Sequence, residues 1–312
     1  MTASPVLVIV GPTASGKTEL AVECAKELNG EIISADSMQI YKGMQIATAK
    51  PTEDEMQGIK HYLTDFLDPS ESFSVAEFKR LADSAADEIV SKGKLPIVCG
   101  GTGLYIDSFV YNIQFTSEED SHELRQSLEE KFDSVGAEEM LRQLSEFDPN
   151  TADSLSVSDR KRIIRAFEVY LLTGKTITQA KLDSRLQPPK YRSVLVGVNY
   201  SERERLYERI NRRVELMLEQ GLVDEAKRYF DLPDKYTASQ SIGYKELAPY
   251  LNGLISLDEA VENLKKSTRH YAKRQLTWFK RNKNIKWFYP DLYNDRKEFI
   301  MSVTDYVKEA IK

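Results

Sequence analysis

The sequence predicts an α/β fold, a doubly wound parallel sheet with an inserted helical domain. The apolar run Val6–Val10 is continuous rather than alternating, which is typical of a parallel strand buried on both faces. Strand-like and helix-like segments then alternate over the first hundred residues, as in crossover units. Between residues 117 and 190 the strand pattern disappears and apolar residues recur at helical spacing, which indicates a helical insertion.

The first part of the chain supplies three strands and two helices of this predicted sheet. The first helix follows a glycine-rich turn, covers residues 17–28 and ends before Asn29-Gly30. Ser74 and Glu77 form a capping box that opens the second helix, which runs to about residue 91. The strands are predicted over residues 6–10, 31–34 and 96–99.

The insertion interrupts the sheet and divides the core. It contains a predicted helix over 160–172, and the chain rejoins the sheet with a strand over 193–198. We therefore expect a discontinuous catalytic core of residues 1–116 plus 191–312, and an insertion of residues 117–190. Two further capping boxes follow the insertion. One opens a helix ending at Gly221, and the other opens the last long helix, which ends near Asn282. The boxes are formed by Ser201 with Glu204 and by Ser256 with Glu259.

The composition excludes several classes of protein. With 41% hydrophobic and 29% charged residues, the 312-residue chain is neither disordered nor fibrous. The apolar run at residues 6–10 is too short for a signal-peptide core or a membrane span. We therefore expect a cytoplasmic, monomeric protein with no membrane partner. Cys24 and Cys99 make neither a disulfide framework nor a zinc site, and His61, His122 and His270 lack a metal-ligand spacing.

The net charge of −6 argues against a nucleic-acid partner, but the charge is unevenly distributed. Residues 118–148 contain 11 Asp and Glu, whereas residues 265–286 contain nine Lys and Arg and no acid. Four of these nine form one stripe on a helix, and a second basic patch lies in the insertion. Such patterns suit a phosphate backbone, and the interleaved aromatic residues could stack on bases. The alternative is that these basic residues only form a solvated charged face, and of the two interpretations we favour RNA binding. The stripe consists of Lys266, Arg269, Lys273 and Lys280, and the patch of Arg160, Lys161, Arg162 and Arg165.

A phosphate-binding loop follows the first strand. Residues Gly11–Thr18 read GPTASGKT and fit the pattern G-x-x-x-x-G-K-[ST], between a buried strand and a helix as the motif requires. Its backbone N–H groups and the helix N-terminus favour phosphate oxygens. Lys17 adds a full charge, and the Thr18 hydroxyl is placed to bind Mg²⁺. The motif indicates phosphate or diphosphate binding without saying which bond breaks.

Two polar residues follow the other predicted strands at the edge that faces the ligand crevice. Asp36 ends the second strand, where a carboxylate could accept a proton from a nucleophile or simply form a turn. Thr102 follows the third strand and could bind substrate or satisfy its own loop. No Asp ends that third strand, so the carboxylate that most P-loop hydrolases use for Mg²⁺ is missing there.

Arginines crowd the helix that follows residue 201. Arg209 and Arg213 are four residues apart and share a face. Either could stabilise a departing diphosphate, because fixed positive charge there meets developing negative charge. Pairing with neighbouring glutamates in solvent is the alternative for any one of them.

Taken in order, these segments resemble the motif series of bacterial tRNA dimethylallyltransferases. The resemblance runs from the first strand to the last long helix, and the ordered set is far more specific than the phosphate loop alone. The matching segments are Gly11–Thr18, Ser34–Tyr41 continuing through Ala49–Pro51, Gly100–Tyr105, Arg162–Glu168, Ser241–Glu246 and Arg274–Phe279.

The resemblance implies transfer of the five-carbon group of dimethylallyl diphosphate to the exocyclic N6 of the adenosine 3′-adjacent to the tRNA anticodon. It implies that Asp36 is the general base, that Thr102 bonds near the same amine, and that Arg213, or less securely Arg209, stabilises the leaving group. The implied diphosphate residues are Thr13, Ala14, Ser15, Gly16, Lys17 and Thr18, with Thr18 near Mg²⁺. The implied contacts to the anticodon stem-loop are Asp36, Ser37, Met38, Gln39, Thr102, Arg125, Lys161, Arg162, Ile163, Ile164 and Arg165, to which the basic stripe adds Lys273 and Lys280.

Three alternatives stay open at this point. A P-loop small-molecule kinase would bind and turn over ATP without RNA, which leaves the basic stripe unexplained. An adenylate dimethylallyltransferase would prenylate free nucleotides and needs no grip on tRNA. A non-enzymatic RNA-binding module would need neither Asp36 nor Lys17.

Overall fold

The computed structural model describes residues 3–115, 122–184, 186–232 and 241–312. Packing divides the chain into two compact units, one of Met1–Val110 with Lys190–Lys312 and the other of Tyr111–Pro189. The expected boundaries were 116/117 and 190/191. The first division comes earlier because a helix of the core unit ends at Val110. The expected start of the insertion at 117, and the first residues of the acidic run at 118, lie outside the described residues.

The core unit is built on one six-stranded sheet in which every pair of neighbouring strands is parallel. The strand order is β3-β2-β4-β1-β5-β6. The central strands are buried on both faces, as the continuous apolar runs predict, and pack beneath the first and last helices of the chain. The strands are β1 Pro5–Val10, β2 Gly30–Ser34, β3 His61–Tyr62, β4 Leu95–Gly100, β5 Arg192–Val198 and β6 Lys286–Phe288.

The parallel α/β fold predicted from the sequence is confirmed, and four of its strands were predicted within two residues at either end. Strands β3 and β6 were not predicted, because two and three residues are too few to show a period. His61 lies in β3, where its Nδ1 is 2.9 Å from the Ile59 carbonyl oxygen. Burial is the main cause that lowers the pKa of His61.

Nine helices of the core unit lie in the part of the chain that the structure describes. None of the described helices, in either unit, is both long enough and apolar enough to cross a bilayer. The nine are α1 Lys17–Glu27, α2 Glu53–Met56, α3 Val75–Ser91, α4 Gly103–Val110, α9 Arg203–Glu219, α10 Leu222–Phe230, α11 Tyr244–Leu251, α12 Leu257–Phe279 and α13 Arg296–Ile311.

Helix capping agrees with the sequence fully in one case, in part in a second, and differs in a third. The Ser74 capping box opens α3 with both of its bonds. At the start of α12 the Ser256 hydroxyl accepts the N–H of Glu259, but the described structure shows no bond back from the Glu259 side chain. The box predicted at Ser201 is wrong. The Ser201 N–H and hydroxyl both donate to the carboxylate of Asp291, and α9 is capped at Glu202 without a side-chain bond. Asp291, 90 residues further along the chain, therefore replaces Glu204 as the partner of Ser201.

The sequence predicted α12 as the last long helix, but a further helix follows it. Helix α12 ends at Phe279, and α13 follows β6. Buried Phe299, Val303 and Val307 place one face of α13 in the main hydrophobic core of the sheet. The mixed charges around these apolar positions hide their helical spacing.

The second unit is helical throughout its described residues. Its longest helix, α5, is interrupted at Gly136, whose φ of 82° lies in the left-handed region. Two isoleucines of α7, Ile163 and Ile164, are 0% and 2% exposed in the hydrophobic core of this unit. Its helices are α5 His122–Phe147, α6 Pro149–Asp153, α7 Arg160–Thr173 and α8 Ile177–Asp183.

Candidate active site

The topology of the sheet brings three loops together. Strands β2, β4 and β1 are neighbours in that order, and all three point the same way. Their carboxyl ends carry the loop with Asp36, the loop with Thr102 and the phosphate-binding loop, respectively. Segments that lie between residues 11 and 102 of the sequence therefore meet at one edge of the sheet, where open α/β folds bind ligands.

The phosphate-binding loop is shaped by close backbone packing. A Cβ at Gly11 would lie 2.4 Å from the Val198 carbonyl oxygen, so only glycine fits beside β5. Gly16 caps α1 in the left-handed region with φ 90°. The buried Ser15 hydroxyl has no hydrogen-bond partner in the described structure. Lys17 Nζ donates to the Pro12 carbonyl oxygen at 3.3 Å, so the lysine folds back over its own loop.

A cavity of about 260 Å³ opens above this edge of the sheet. Thr13, Lys17 and Thr18 line it on the side of the phosphate-binding loop, whereas Ala14, Ser15 and Gly16 do not contribute to its wall. Four of the residues that the resemblance assigns to contacts with the anticodon stem-loop line it as well. These are Asp36, Ser37, Met38 and Gln39.

Asp36 is held at the carboxyl end of β2 by its own loop. Its Oδ1 accepts the N–H groups of Met38 at 2.9 Å and Gln39 at 3.3 Å. These bonds fix the carboxylate and turn the chain after it. The Gln39 side chain then donates to the carbonyl oxygens of Thr48 and Ala49, which closes the segment into a loop.

Thr102 lies beside this segment rather than in the cavity wall. Its Oγ1 accepts the Ser37 N–H at 3.1 Å, and its own N–H donates to the Ala35 carbonyl oxygen at 3.2 Å. Thr102 therefore ties the β4 loop to the residues on either side of Asp36. The Gly100 backbone, and not the Thr102 side chain, supplies the wall of the cavity after β4.

The structure distinguishes the two arginines that the sequence could not. Arg213 lines the cavity, and its Nη1 donates to the Thr13 hydroxyl at 3.3 Å. The Nε of Arg209 donates to the Ala14 carbonyl oxygen at 3.0 Å, and its guanidinium lies 5.2 Å from the centre of the Tyr200 ring. Arg213 therefore faces the ligand space, whereas Arg209 supports the loop from outside.

The charges in the cavity act on one another. Burial lowers the pKa of Lys17, and the nearby carboxylate of Asp36 acts in the opposite direction. Burial likewise lowers the pKa of Arg213. Two cations held in a site from which water is partly excluded attract an anion strongly. The Cys99 thiol also lines the cavity, but burial raises its pKa to about 12, which makes it a poor nucleophile.

Sequence reasoning missed a buried carboxylate that shapes the acceptor side. Glu225 of α10 is 4% exposed, and its two oxygens accept the N–H groups of residues 45, 46 and 47 at 2.8–2.9 Å. The Tyr244 hydroxyl donates a fourth bond at 2.9 Å. The residues it fixes include Ala47, which lines the cavity. No local signal marks Glu225, because its backbone partners lie about 180 residues away.

Helix α12 turns one side toward the site, where exposure ranges from buried Gln275 to exposed Arg274, and it also carries an exposed basic face. Tyr271, Arg274 and Gln275 line the cavity. On the other face, Lys266, Lys273 and Lys280 are exposed and have no ion pair among the described residues. The stripe is less free than the sequence suggests, because Arg269 donates to the Asn211 side chain at 2.7 Å. Outside it, Lys265 pairs with Glu215 and Glu262.

The expectation that the interleaved aromatic residues stack on RNA bases is largely wrong. Phe279 and Phe288 are 2% and 5% exposed and belong to the core. The Trp278 indole N–H donates to Asp107 at 3.0 Å, and its ring covers Gly103, where a Cβ would lie 2.3 Å away. These rings anchor α12 and β6 to the rest of the core unit.

Two of the predicted RNA contacts in the helical unit are corrected by the structure. The buried side chains of Ile163 and Ile164 form core contacts and cannot reach a ligand. The neighbouring Lys161 is exposed and has no ion pair in the described residues. Four arginines of the predicted contacts and basic patch pair with acids of their own unit: Arg125 with Glu129, Arg160 with Asp133, Arg162 with Asp159 and Arg165 with Glu168.

The described residues contain no cluster of three or more metal-ligating side chains. A Mg²⁺ site of the kind that phosphate loops provide needs less, because Mg²⁺ keeps several waters and binds substrate phosphate oxygens. Thr18 places one hydroxyl in the cavity beside Lys17, which fits such a site.

Fold and site together define a P-loop protein in which the phosphate loop, an arginine and a carboxylate share one cavity, without an acid after β4. A family model described as IPP transferase matches residues 39–282. The chain therefore belongs to the IPP transferase family.

Curated relatives and solved structures agree with this assignment. The chain is 53% identical to the tRNA dimethylallyltransferase of Acetivibrio thermocellus, over 97% of both chains. It is 46% identical to that of Bacillus subtilis, over 92% of this chain and 91% of the relative. The tRNA isopentenylpyrophosphate transferase from Bacillus halodurans matches with a TM-score of 0.73 at 42% identity, over 99% and 97% of the two chains. A eukaryotic dimethylallyltransferase acting on tRNA matches with a TM-score of 0.84 at 29% identity, over 98% and 80%.

Proposed function

We propose that this protein transfers the dimethylallyl group from dimethylallyl diphosphate to the exocyclic N6 of the adenosine 3′-adjacent to the anticodon in tRNA. The names of its relatives support this reaction. The observation that carries it is the single cavity shared by Lys17, Asp36 and Arg213. A cradle for a diphosphate and a carboxylate for an amine proton are the two groups that such a transfer needs.

The donor half of the site binds the diphosphate. Lys17 and Arg213 supply full charges, and residues 13–18 supply the loop at the N-terminus of α1. Mg²⁺ held by Thr18 and the diphosphate would neutralise part of the leaving group's charge. Beside Arg213 the wall becomes apolar, which suits a five-carbon hydrocarbon chain. This part is lined by Ile210, Val214, Met217, Leu222 and Leu264.

The acceptor half binds the adenine. The target base must leave its stack to enter the cavity, where residues 36–39 form the wall. The amine nitrogen forms a bond to the allylic carbon, and the bond from that carbon to the diphosphate oxygen breaks. Asp36 accepts the proton that the amine loses, and the electron pair of the broken bond leaves with the diphosphate.

Exposed lysines in each unit support RNA binding. Lys273 on α12, Lys280 at the C-cap of α12 and Lys161 on α7 are exposed without ion pairs in the described structure. Arg125 is half exposed, and among the described residues its ion pair is with Glu129, a surface pair of small energetic value. The three lysines are available to neutralise phosphates, and Arg125 can do so by giving up a weak surface pair.

An acceptor comparison tests the proposal. The protein is supplied with radiolabelled dimethylallyl diphosphate and Mg²⁺, together with unmodified tRNA, AMP or ATP. We expect label on tRNA alone. Label on AMP or ATP and none on tRNA would assign the adenylate reaction instead. A parallel reaction with labelled ATP and no RNA should release no ADP, and release would point to a kinase.

A further inference from the structure

The side chain of Gln275 occupies a position where an apolar residue would be expected. It lies on the buried face of α12 between Ala272 and Phe279, which are 0% and 2% exposed, and is itself 5% exposed. A buried amide is costly unless its polar atoms are paired. Gln275 pairs both ends, and its partners belong to two different loops of the site.

One end of this amide holds the phosphate-binding loop. Gln275 Oε1 accepts the Thr13 N–H at 2.8 Å, and the Thr13 hydroxyl accepts a bond from Arg213. Two helices therefore fix Thr13 from two directions. Since its N–H is already used, the N–H groups left for the diphosphate come from the rest of the loop.

The other end holds the loop that follows β4. Gln275 Nε2 donates to the Gly101 carbonyl oxygen at 3.0 Å, and a Cβ at Gly101 would lie 2.1 Å from that nitrogen. Glycine is therefore required for the amide to fit. The next residue, Thr102, binds the Ser37 N–H, adjacent to Asp36. A continuous chain of contacts thus runs from the diphosphate side through Gln275 to the carboxylate.

We propose that Gln275 is a positioning residue that sets the separation between the diphosphate cradle and Asp36. The inference rests on the proposed transfer function. Reacting atoms must lie about 3–3.5 Å apart to benefit from orientation, and a misplacement of about 1 Å costs up to about 10²-fold in rate. The Gln275 side chain joins the phosphate-binding loop to the loop that follows β4. The sheet places these two loops side by side, but no strand-pairing hydrogen bonds connect them in the described structure. Loss of the Gln275 contacts therefore affects the chemical step, not ligand binding.

Gln275→Met keeps the length of the side chain and removes both hydrogen bonds. We expect the single-turnover transfer rate at saturating substrates to fall by about 10- to 100-fold. The Kd of inorganic pyrophosphate should stay within about threefold of wild type or become tighter, because the Thr13 N–H is released. Gln220→Met, on the exposed end of α9, is the matched control and should change neither quantity. An unchanged rate, or a rate and a pyrophosphate affinity that fall together, would overturn the proposal.

Gln275→Glu provides a second readout that does not depend on the first variant folding. It keeps an oxygen for the Thr13 N–H but places an ionised carboxylate against the Gly101 carbonyl oxygen. Protonation restores a donor to that carbonyl. We therefore expect the rate relative to wild type to recover as the pH falls from about 8 to about 6. A relative rate that is flat across this range contradicts the proposed positioning role of Gln275. A wild-type enzyme that fails to label tRNA contradicts the proposed function itself.

Discussion

Asp36 has its two carboxylate oxygens in different surroundings. Oδ1 accepts two backbone N–H groups, and no described residue donates to Oδ2, which is left for the substrate. Asp36→Asn keeps an acceptor for the loop but cannot take a proton. We expect the single-turnover transfer rate to fall by about 10²- to 10⁴-fold, with tRNA affinity changed far less. Filter binding of tRNA alongside the rate decides the matter, and equal losses in both would show that Asp36 only holds RNA.

Arg213 and Arg209 lie on one face of α9 but contact different things. Arg213→Ala should lower the transfer rate by about 10²- to 10³-fold, because charge that meets the leaving diphosphate is lost. Arg209→Ala should act more weakly, through the position of the Ala14 carbonyl. The control is Arg203→Ala, a change at an exposed arginine stacked on Tyr207. If the Arg209 variant loses more activity than the Arg213 variant, then Arg209, and not Arg213, is the arginine that stabilises the leaving diphosphate.

Which residues could be predicted from the sequence depended on how local their partners are. Lys17 and Asp36 could be placed because a motif and a strand end specify their positions. Glu225 and Gln275 could not, since their partners lie about 180 and 262 residues away in the chain. The assignment of Ile163 and Ile164 as RNA contacts came from a motif match. Such a match does not say which side of a helix is buried, and both side chains lie in the core of the helical unit.

The exposed face of α12 is the element that most directly suggests RNA. Changing Lys273 and Lys280 to Ala together should weaken tRNA binding and reduce the slope of log Kd against log salt by about 0.7–0.9 per lysine. Pyrophosphate binding should be unchanged, since neither side chain lines the cavity. The matched control changes Lys297 and Lys308 of α13 to Ala. If the salt slope is the same in both double variants, the α12 stripe is a solvated face.

A buried carboxylate in the helical unit caps α6 and holds the start of α8. Asp148 is 2% exposed and accepts bonds from the Thr151 N–H and from the N–H and hydroxyl of Thr178. Burial acts to raise the pKa of Asp148, but these bonds outweigh it, and the net pKa is lowered. Because the folded pKa lies below the unfolded value, the stabilisation is present above about pH 4 and is lost as the pH falls through the folded pKa.

Asp148→Asn should therefore destabilise this unit by about 1–3 kcal/mol at pH 7. The difference from wild type should shrink as the pH is lowered below about 4, because the native carboxylate then becomes protonated too. Hydrogen exchange of the α6–α8 amides measures the change within this unit. Asp305→Asn, on the exposed side of α13, is the control. A difference that stays constant down to acidic pH would show that the charge on Asp148 is irrelevant.

Net charge averaged over the whole molecule was the poorest guide to its binding partner. The net charge of −6 argues against RNA, yet Lys266, Lys273 and Lys280 form no ion pair in the described structure. The alternation of strands and helices predicted the parallel sheet, since crossover connections leave a strong periodic signal. Short β3 and β6, and the burial of aromatic residues within a basic segment, depend on packing across the chain and leave no such signal.

The central claim is that one cavity joins a diphosphate cradle to the carboxylate that accepts the proton of an adenine amine. The most direct test is transfer of labelled dimethylallyl groups to two anticodon stem-loops that differ in one nucleotide. One carries adenosine 3′-adjacent to the anticodon, and the other carries purine riboside, which lacks the exocyclic amine. The account predicts label on the first and none on the second, although both bind. Equal labelling of the two stem-loops, or label on neither although both bind, would contradict it.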